Sequence, residues 1–256
     1  MKPTVYGAFL SLVALAACNN LYNAPNPAPA FTTFRAQGDS LTVANNLDAF
    51  RAALGGALNA PNSPPADGGR REINWDGVPA AVTNIDAFPA TFFNVNSKRG
   101  ALLSTAGTGL RVDSTAFASV NAGLATQFKA FSPQKLFMAV GSTQSEVDFQ
   151  LVGTTTNGLT KGFGVVFSDV DRAGSTRIEL FDAAGVRIAN LEAPAGAGTQ
   201  QFSFIGAVFD APVIARVLIT SGDAALSATA TDVSAGGTTD LVVMDDFVYG
   251  EPQPLP

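Results

Sequence analysis

The sequence predicts an all-β domain, a jelly-roll-like β-sandwich with one short N-terminal helix. Three observations carry that expectation. From Arg71 onward apolar residues recur with a period of two, as the alternating faces of a strand require. Gly- and Thr-rich loops divide this stretch into about ten or eleven short runs, the spacing of sandwiches and barrels. No βαβ alternation and no repeat of solenoid or propeller period breaks the pattern. Composition agrees, because a chain with 46% hydrophobic and 14% charged residues can bury a core rather than stay disordered.

The elements follow in order. Met1-Lys2-Pro3-Thr4 is succeeded by Val5 to Ala14 with almost no polarity, then by Leu15-Ala16-Ala17-Cys18. A positive start, an apolar stretch and small residues before a cut site describe a secretory signal. The stretch is too short for a bilayer core of about 30 Å, which needs about 20 apolar residues. Residues 1–17 are therefore expected to be a cleaved signal peptide. Leu-Ala-Ala-Cys resembles the bacterial lipobox, in which the cysteine thiol takes a diacylglyceryl group and becomes the new N-terminus. Cys18 is the single cysteine of the chain and the expected lipidation site. Several acyl chains on one residue hold a protein to a membrane where a single chain is marginal. Asn19 does not resemble the aspartate of inner-membrane retention, so in a Gram-negative cell the expected destination is the outer membrane.

Residues 18–36 are rich in Asn, Pro and Ala and predict a lipidated, extended tether. Residues 37–251 are expected to form a single sandwich and 252–256 a short tail. A helix is expected around Asn46 to Leu54, where Leu47, Phe50 and Leu54 recur at helical spacing. Asn45 or Asn46 would cap its start, and Gly55-Gly56 would stop it. A polar Pro/Gly loop follows. Strand candidates then run from Arg71–Val78 to Leu241–Tyr249, with Asp182-Ala183-Ala184-Gly185 joining two of them as a hairpin. In the first strand, alternation puts Ile73 and Trp75 on one face and Glu72, Asn74 and Asp76 on the other.

GGRREINWDGVP near residues 68–79, RGALLSTAGTG at 99–109, FSPQKLF at 131–137, GFGVVFSDVD at 162–171, IELFDAAG at 178–185, ARVLITSG at 215–222 and VVMDDFVYGE at 242–251 together resemble a family of exported bacterial proteins of unknown function. The resemblance covers residues 45–251 and implies no particular activity. A final strand reading hydrophobic-Asp-Asp-aromatic also resembles, more distantly, the last strand of jelly-roll carbohydrate-binding modules.

What the chain lacks narrows its chemistry. It has no histidine, which removes Ser-His-Asp and Cys-His catalysis, histidine acid–base work and histidine-ligated zinc or copper. With Cys18 acylated, no thiol remains for a disulfide or a thiolate metal site. The formal charge of −6 becomes −7 once Lys2 leaves with the signal, and an acidic surface argues against nucleic acid as partner. Gly162-Phe163-Gly164 has no third glycine and no following helix for a phosphate site. Ser132-Pro133-Gln134-Lys135 matches S-x-x-K of penicillin-binding enzymes, but the accompanying motifs are missing and a turn is the plainer reading. A glycosidase needs only two carboxyl groups, about 5–9.5 Å apart. Glu72 and Asp76 would stand about 13 Å apart along a strand, so any such pair must combine different strands.

Calcium is the more natural use of these acids, since it takes six to eight oxygens and neither His nor Cys. Asp169 and Asp171 at a strand end form one candidate site, with loop capping as the alternative. Asp245 and Asp246 within an apolar strand form the second, and there pairing with Arg or backbone N–H is the alternative. In a regular strand that second pair points to opposite faces, and a buried unpaired charge is costly. Trp75 with Asp76, and Tyr249, are candidate ligand-binding residues because an exposed aromatic ring stacks on a sugar. Ile73 on the face of Trp75 argues for core packing instead. The expected function is a lipid-anchored, non-catalytic envelope module that binds glycan or an envelope protein and holds structural calcium. A structural or adhesion lipoprotein and a carboxylate-dependent glycoside hydrolase are the alternatives.

Overall fold

The computed structural model describes Met1 and residues 29–256. Residues 2–17 of the expected signal peptide, Cys18 and the first part of the tether lie outside the described residues. No helix among the described residues is long and apolar enough to cross a membrane.

β1 (Phe31–Gly38) leads into α1 (Ser40–Leu54), and β2 (Arg70–Ile73), α2 (Phe92–Val95), β3 (Ala101–Ser104) and β4 (Gly109–Asp113) come next. The middle of the chain holds β5 (Leu136–Val140), β6 (Gln144–Phe149), β7 (Gly158–Leu159), β8 (Gly162–Ser168), β9 (Arg177–Phe181) and β10 (Arg187–Glu192). It closes with β11 (Phe202–Phe209), β12 (Arg216–Thr220), β13 (Val243–Gly250) and β14 (Gln253–Pro254).

These strands build two main antiparallel sheets. The larger has the order β1-β11-β8-β13-β5-β4, with β2 also paired to β13; the smaller has the order β10-β9-β12-β6-β3. The chain passes repeatedly from one sheet to the other: β8 lies in the larger, β9 and β10 in the smaller, β11 in the larger, β12 in the smaller and β13 in the larger. That crossing makes an all-β, jelly-roll-like sandwich. Its core joins Phe163, Val165, Phe167 and Phe247 of the larger sheet to Val147, Phe149, Ile178, Leu180, Val217 and Ile219 of the smaller.

The other face of β8 and β11 is covered by α1. Val43, Leu47, Phe50 and Leu54 lie on Val166, Phe202, Phe204 and Val248. β8 is therefore buried on both faces, which explains a strand as apolar as Gly162–Ser168. Gly164 and Gly206 are cross-strand partners beneath the Phe50 ring. A Cβ on Gly206 would lie 2.9 Å from Phe50 Cε2, so the ring needs that bare backbone.

Several boundaries differ from expectation. The sheet begins at Phe31, inside the segment expected to be tether, because β1 pairs along its whole length with β11. Residues Gln253 and Pro254 of the expected tail pair with β7. α1 starts at Ser40, well before Asn46, because Asp39 caps it by accepting a hydrogen bond from Thr42 N at 2.8 Å. Asn45 and Asn46 thus lie within the helix rather than at its end. The strand expected to run to Val78 stops at Ile73, since Trp75 takes the left-handed conformation at φ 64°.

Candidate metal centre

β8 ends at Ser168, and the next residue turns the chain sharply: Asp169 has φ 74°, a conformation that aspartate tolerates better than most residues. Asp169 is fully buried beneath the loop that runs from β12 to β13. That loop carries Asp232, which is also buried. Asp169, Asp171 and Asp232 each offer a carboxylate oxygen such that the three atoms lie within 4.8 Å of one another.

The three carboxylates are not equally provided for. Asp232 Oδ1 accepts from Ser234 N at 2.7 Å and Ser234 Oγ at 2.8 Å, and its Oδ2 accepts from Leu241 N at 2.7 Å. Asp169 Oδ2 accepts from the Gln127 amide, whose nitrogen also donates to Ser234 Oγ at 2.6 Å. Asp169 Oδ1 and both Asp171 oxygens are shielded from solvent and have no hydrogen-bond partner. Burial, followed by the charges of Asp171, Asp232 and Asp240, pushes Asp169 up to about 8, against the Gln127 hydrogen bond. Burial, with the carboxyl and charge of Asp232, pushes Asp171 up to about 6.

A second ring of groups positions this cluster. Asp240 Oδ1 accepts from Asp171 N at 3.1 Å, and its Oδ2 accepts from Arg172 N at 3.0 Å and Ser175 Oγ at 2.5 Å. Asp223 in turn accepts from Asp240 N at 2.8 Å and pairs with Arg172 at 2.8 Å. The backbone that carries Asp171 is thereby held at a fixed distance from Asp232. Chemically, the site offers hard anionic oxygens with no nitrogen or sulfur, which could hold a hard divalent cation.

Asp169 and Asp171 both fall in this cluster; Asp232 was not foreseen. No spacing signals it, because it is separated from Asp171 by four strands and lies in a loop without periodicity.

Asp245 and Asp246 sit elsewhere, outside the acidic trio, and most of their oxygens meet the Arg and backbone N–H partners expected as the alternative to a cation. In the ladder with β8, Met244 pairs with Phe167 and Phe247 with Val165, so both aspartates oppose the single residue Val166. This is a β-bulge, and it overturns the expected opposite facing. Met244 and Phe247 both enter the core, while both carboxyls turn toward the α1 side. Asp245 accepts from Phe131 N at 2.5 Å, Ser132 N at 3.2 Å and Ser132 Oγ at 2.9 Å. Asp246 lies 3.9 Å from the Arg51 guanidinium, which itself forks onto Glu72 at 3.0 and 2.7 Å. Donors hold Asp245 and the Arg51 charge faces Asp246 Oδ2, while Asp246 Oδ1 is shielded from solvent without a partner. Burial first, and then the neighbouring carboxyl, holds Asp245 well above the usual carboxylate range; burial likewise raises Asp246.

The candidate ligand-binding residues are corrected as well. Trp75 is 1% exposed and stacks on Phe137 with ring centroids 4.2 Å apart, while its Nε1 donates to Asp245 O at 2.7 Å. Tyr249 is wholly buried against Phe149 and donates to Arg99 O at 3.1 Å; burial pushes its phenol up. Neither ring has a free face for a sugar. Asp76, half-buried, accepts from Lys135 N at 3.1 Å and so anchors a turn; burial raises it somewhat.

No protein-family model and no curated protein matches the chain. Among solved structures, the chain is similar to the enzymatically active domain of tailspike protein 4 of bacteriophage CBA120, with 11% identity and a TM-score of 0.29 over 67% of this chain. The match spans about a fifth of that domain (21%). A likeness of that size bears on neither fold nor activity.

Proposed function

We propose that this chain is a non-catalytic module of the bacterial envelope, lipid-anchored through Cys18, whose sandwich holds a structural calcium ion and presents a binding surface to glycan or to another envelope component. The observation that carries the calcium reading is the trio of solvent-shielded oxygens on Asp169 and Asp171 that have no hydrogen-bond partner beside Asp232. Oxygens bound to one calcium at 2.3–2.6 Å stand no more than about 5 Å apart, which agrees with the spacing here. Such an ion would satisfy all three and remove the mutual repulsion of the carboxylates. A non-catalytic role is supported by the absence of histidine and by the engagement of Asp245 and Asp246 with a loop and helix α1.

The test is a thermal melt of the full chain in excess chelator and then in calcium. Calcium is expected to raise the melting temperature, by about 2.7 kcal/mol of stability at a hundredfold excess over Kd. Asp171→Asn is the informative variant, because its carboxyl oxygens hold no other group in place. It should fold and lose the calcium response. A wild-type melt indifferent to chelator and calcium overturns the calcium reading.

A further inference from the structure

The outer face of the smaller sheet carries a feature that the metal centre leaves unused. Strand register aligns Phe181, Arg216, Asp148 and Leu102 in one row across β9, β12, β6 and β3. At the end of that row a cleft of about 370 Å³ opens between the β6–β7 turn, the β9–β10 hairpin and the C-terminal residues. Its volume falls in the range of clefts that take small ligands, about 300–1,000 Å³.

The polar groups in the wall are Asp148, Gln150, Asn157, Asp182 and Arg216. Arg216 is fixed in place: its guanidinium stacks 3.9 Å above the Phe181 ring and donates to Glu146 at 2.9 Å. Asp182 is partly used, accepting from Ala184 N and Val186 N at 2.9 and 2.8 Å within its own turn. Asp148 is half-buried, and no hydrogen bond or ion pair from another described residue holds its carboxylate. Leu102 and Leu255 supply an apolar patch beside these groups. The Gln150 amide is engaged with Asn94 and Thr155, so the free groups are the Asp148 carboxylate and the Asn157 amide; beside a small apolar surface they match a ring whose edge is hydroxylated and whose face is C–H. Two carboxylates against one arginine already paired to Glu146 disfavour an anion.

From this juxtaposition we infer that the cleft bounded by Asp148, Asn157, Asp182 and Arg216 binds a saccharide residue that carries no acidic group. The inference deepens the binding-module reading above by naming its site and ligand class. It does not depend on the calcium centre, since no residue is shared between the two.

The experiment titrates the full chain with cellobiose, with N,N′-diacetylchitobiose and with a galacturonic acid disaccharide, followed by saturation-transfer NMR and calorimetry. At least one of the two uncharged disaccharides is expected to bind and the acidic one not to. Asp148→Asn leaves no internal partner unpaired and should weaken binding about tenfold, as loss of a charge-assisted hydrogen bond does. Asn157→Ala, at an exposed position, should weaken it with an unchanged melting temperature. The inference is overturned if none of the three binds, if the acidic disaccharide binds as well as the others, or if both variants bind as wild type does. A preserved calcium response with no saccharide binding would remove this site alone; saccharide binding with no calcium response would remove only the metal reading.

Discussion

At the scale of single residues, the acids of the metal centre make stability depend on pH in an unusual direction. Folded Asp169 keeps its proton up to about pH 8, while an unfolded aspartate releases it near 3.8. Between those values the folded state binds more protons, so this residue contributes a loss of stability as pH rises, levelling off above 8. Asp171 adds the same sign between about 4 and 6. A bound cation would hold the carboxylates ionised and remove that slope. The expected outcome is a melting temperature that falls from pH 5 to pH 8 in chelator and falls less in calcium. In Asp171→Asn the two curves should run parallel. Glu72 and Asp113, which ion pairs and donors hold below their ordinary values, act only at lower pH. Asp245 and Asp246, raised by burial, add a slope of the same sign that calcium leaves in place, so the metal centre is read from the difference between the two curves.

At the scale of elements, the residue that follows β13 is tied to β2 and the loop before it by a buried ion pair. Arg71 and Glu251, both without exposed side-chain surface, meet at 2.5 and 2.8 Å. Each is fully provided for: Glu251 also accepts from Asn59 Nδ2 and Ala66 N, and Arg71 donates to Ala60 O, Ser63 Oγ and Pro64 O. Removing one partner leaves the other charge buried and alone, at about 3–5 kcal/mol. Glu251→Ala is expected to lower stability by that amount in denaturant melts. Hydrogen exchange should rise first at residues 59–66, whose backbone the pair organises.

How much was legible at this scale differs by element. Most strands were, because alternation survives in the sequence wherever one face meets the core. The second buried face of β8 was not legible, because the helix that covers it comes from a distant segment. β1 was not legible, since the neighbouring prolines dominated its composition and only pairing with β11 makes it a strand. The bulge at Asp245 and Asp246 was hidden as well, because alternation assumes one residue per step on both strands.

At the scale of the whole molecule, the proposed lipid anchor and the sandwich are joined with little chain between them. Ordered sheet begins at Phe31, so only residues 18–30 would separate an acylated Cys18 from the edge of the larger sheet. Cys18→Ser is expected to abolish incorporation of a labelled fatty acid and to release the protein from the membrane fraction. Label retained by that variant, or a mature N-terminus other than Cys18, would remove the anchor.

Taken alone, the sequence determined the all-β class, a helix that ends at Leu54, and the exclusion of histidine chemistry. These depend on composition and local period, and both survive without knowledge of which segments meet. Tertiary structure alone decided that Asp232 joins Asp169 and Asp171, that Trp75 and Tyr249 are buried, and that Asp148 and Arg216 share a cleft. Each is a meeting of residues far apart in the chain, set by sheet order and by the twist and bulges of the strands. One-dimensional spacing carries no record of such meetings.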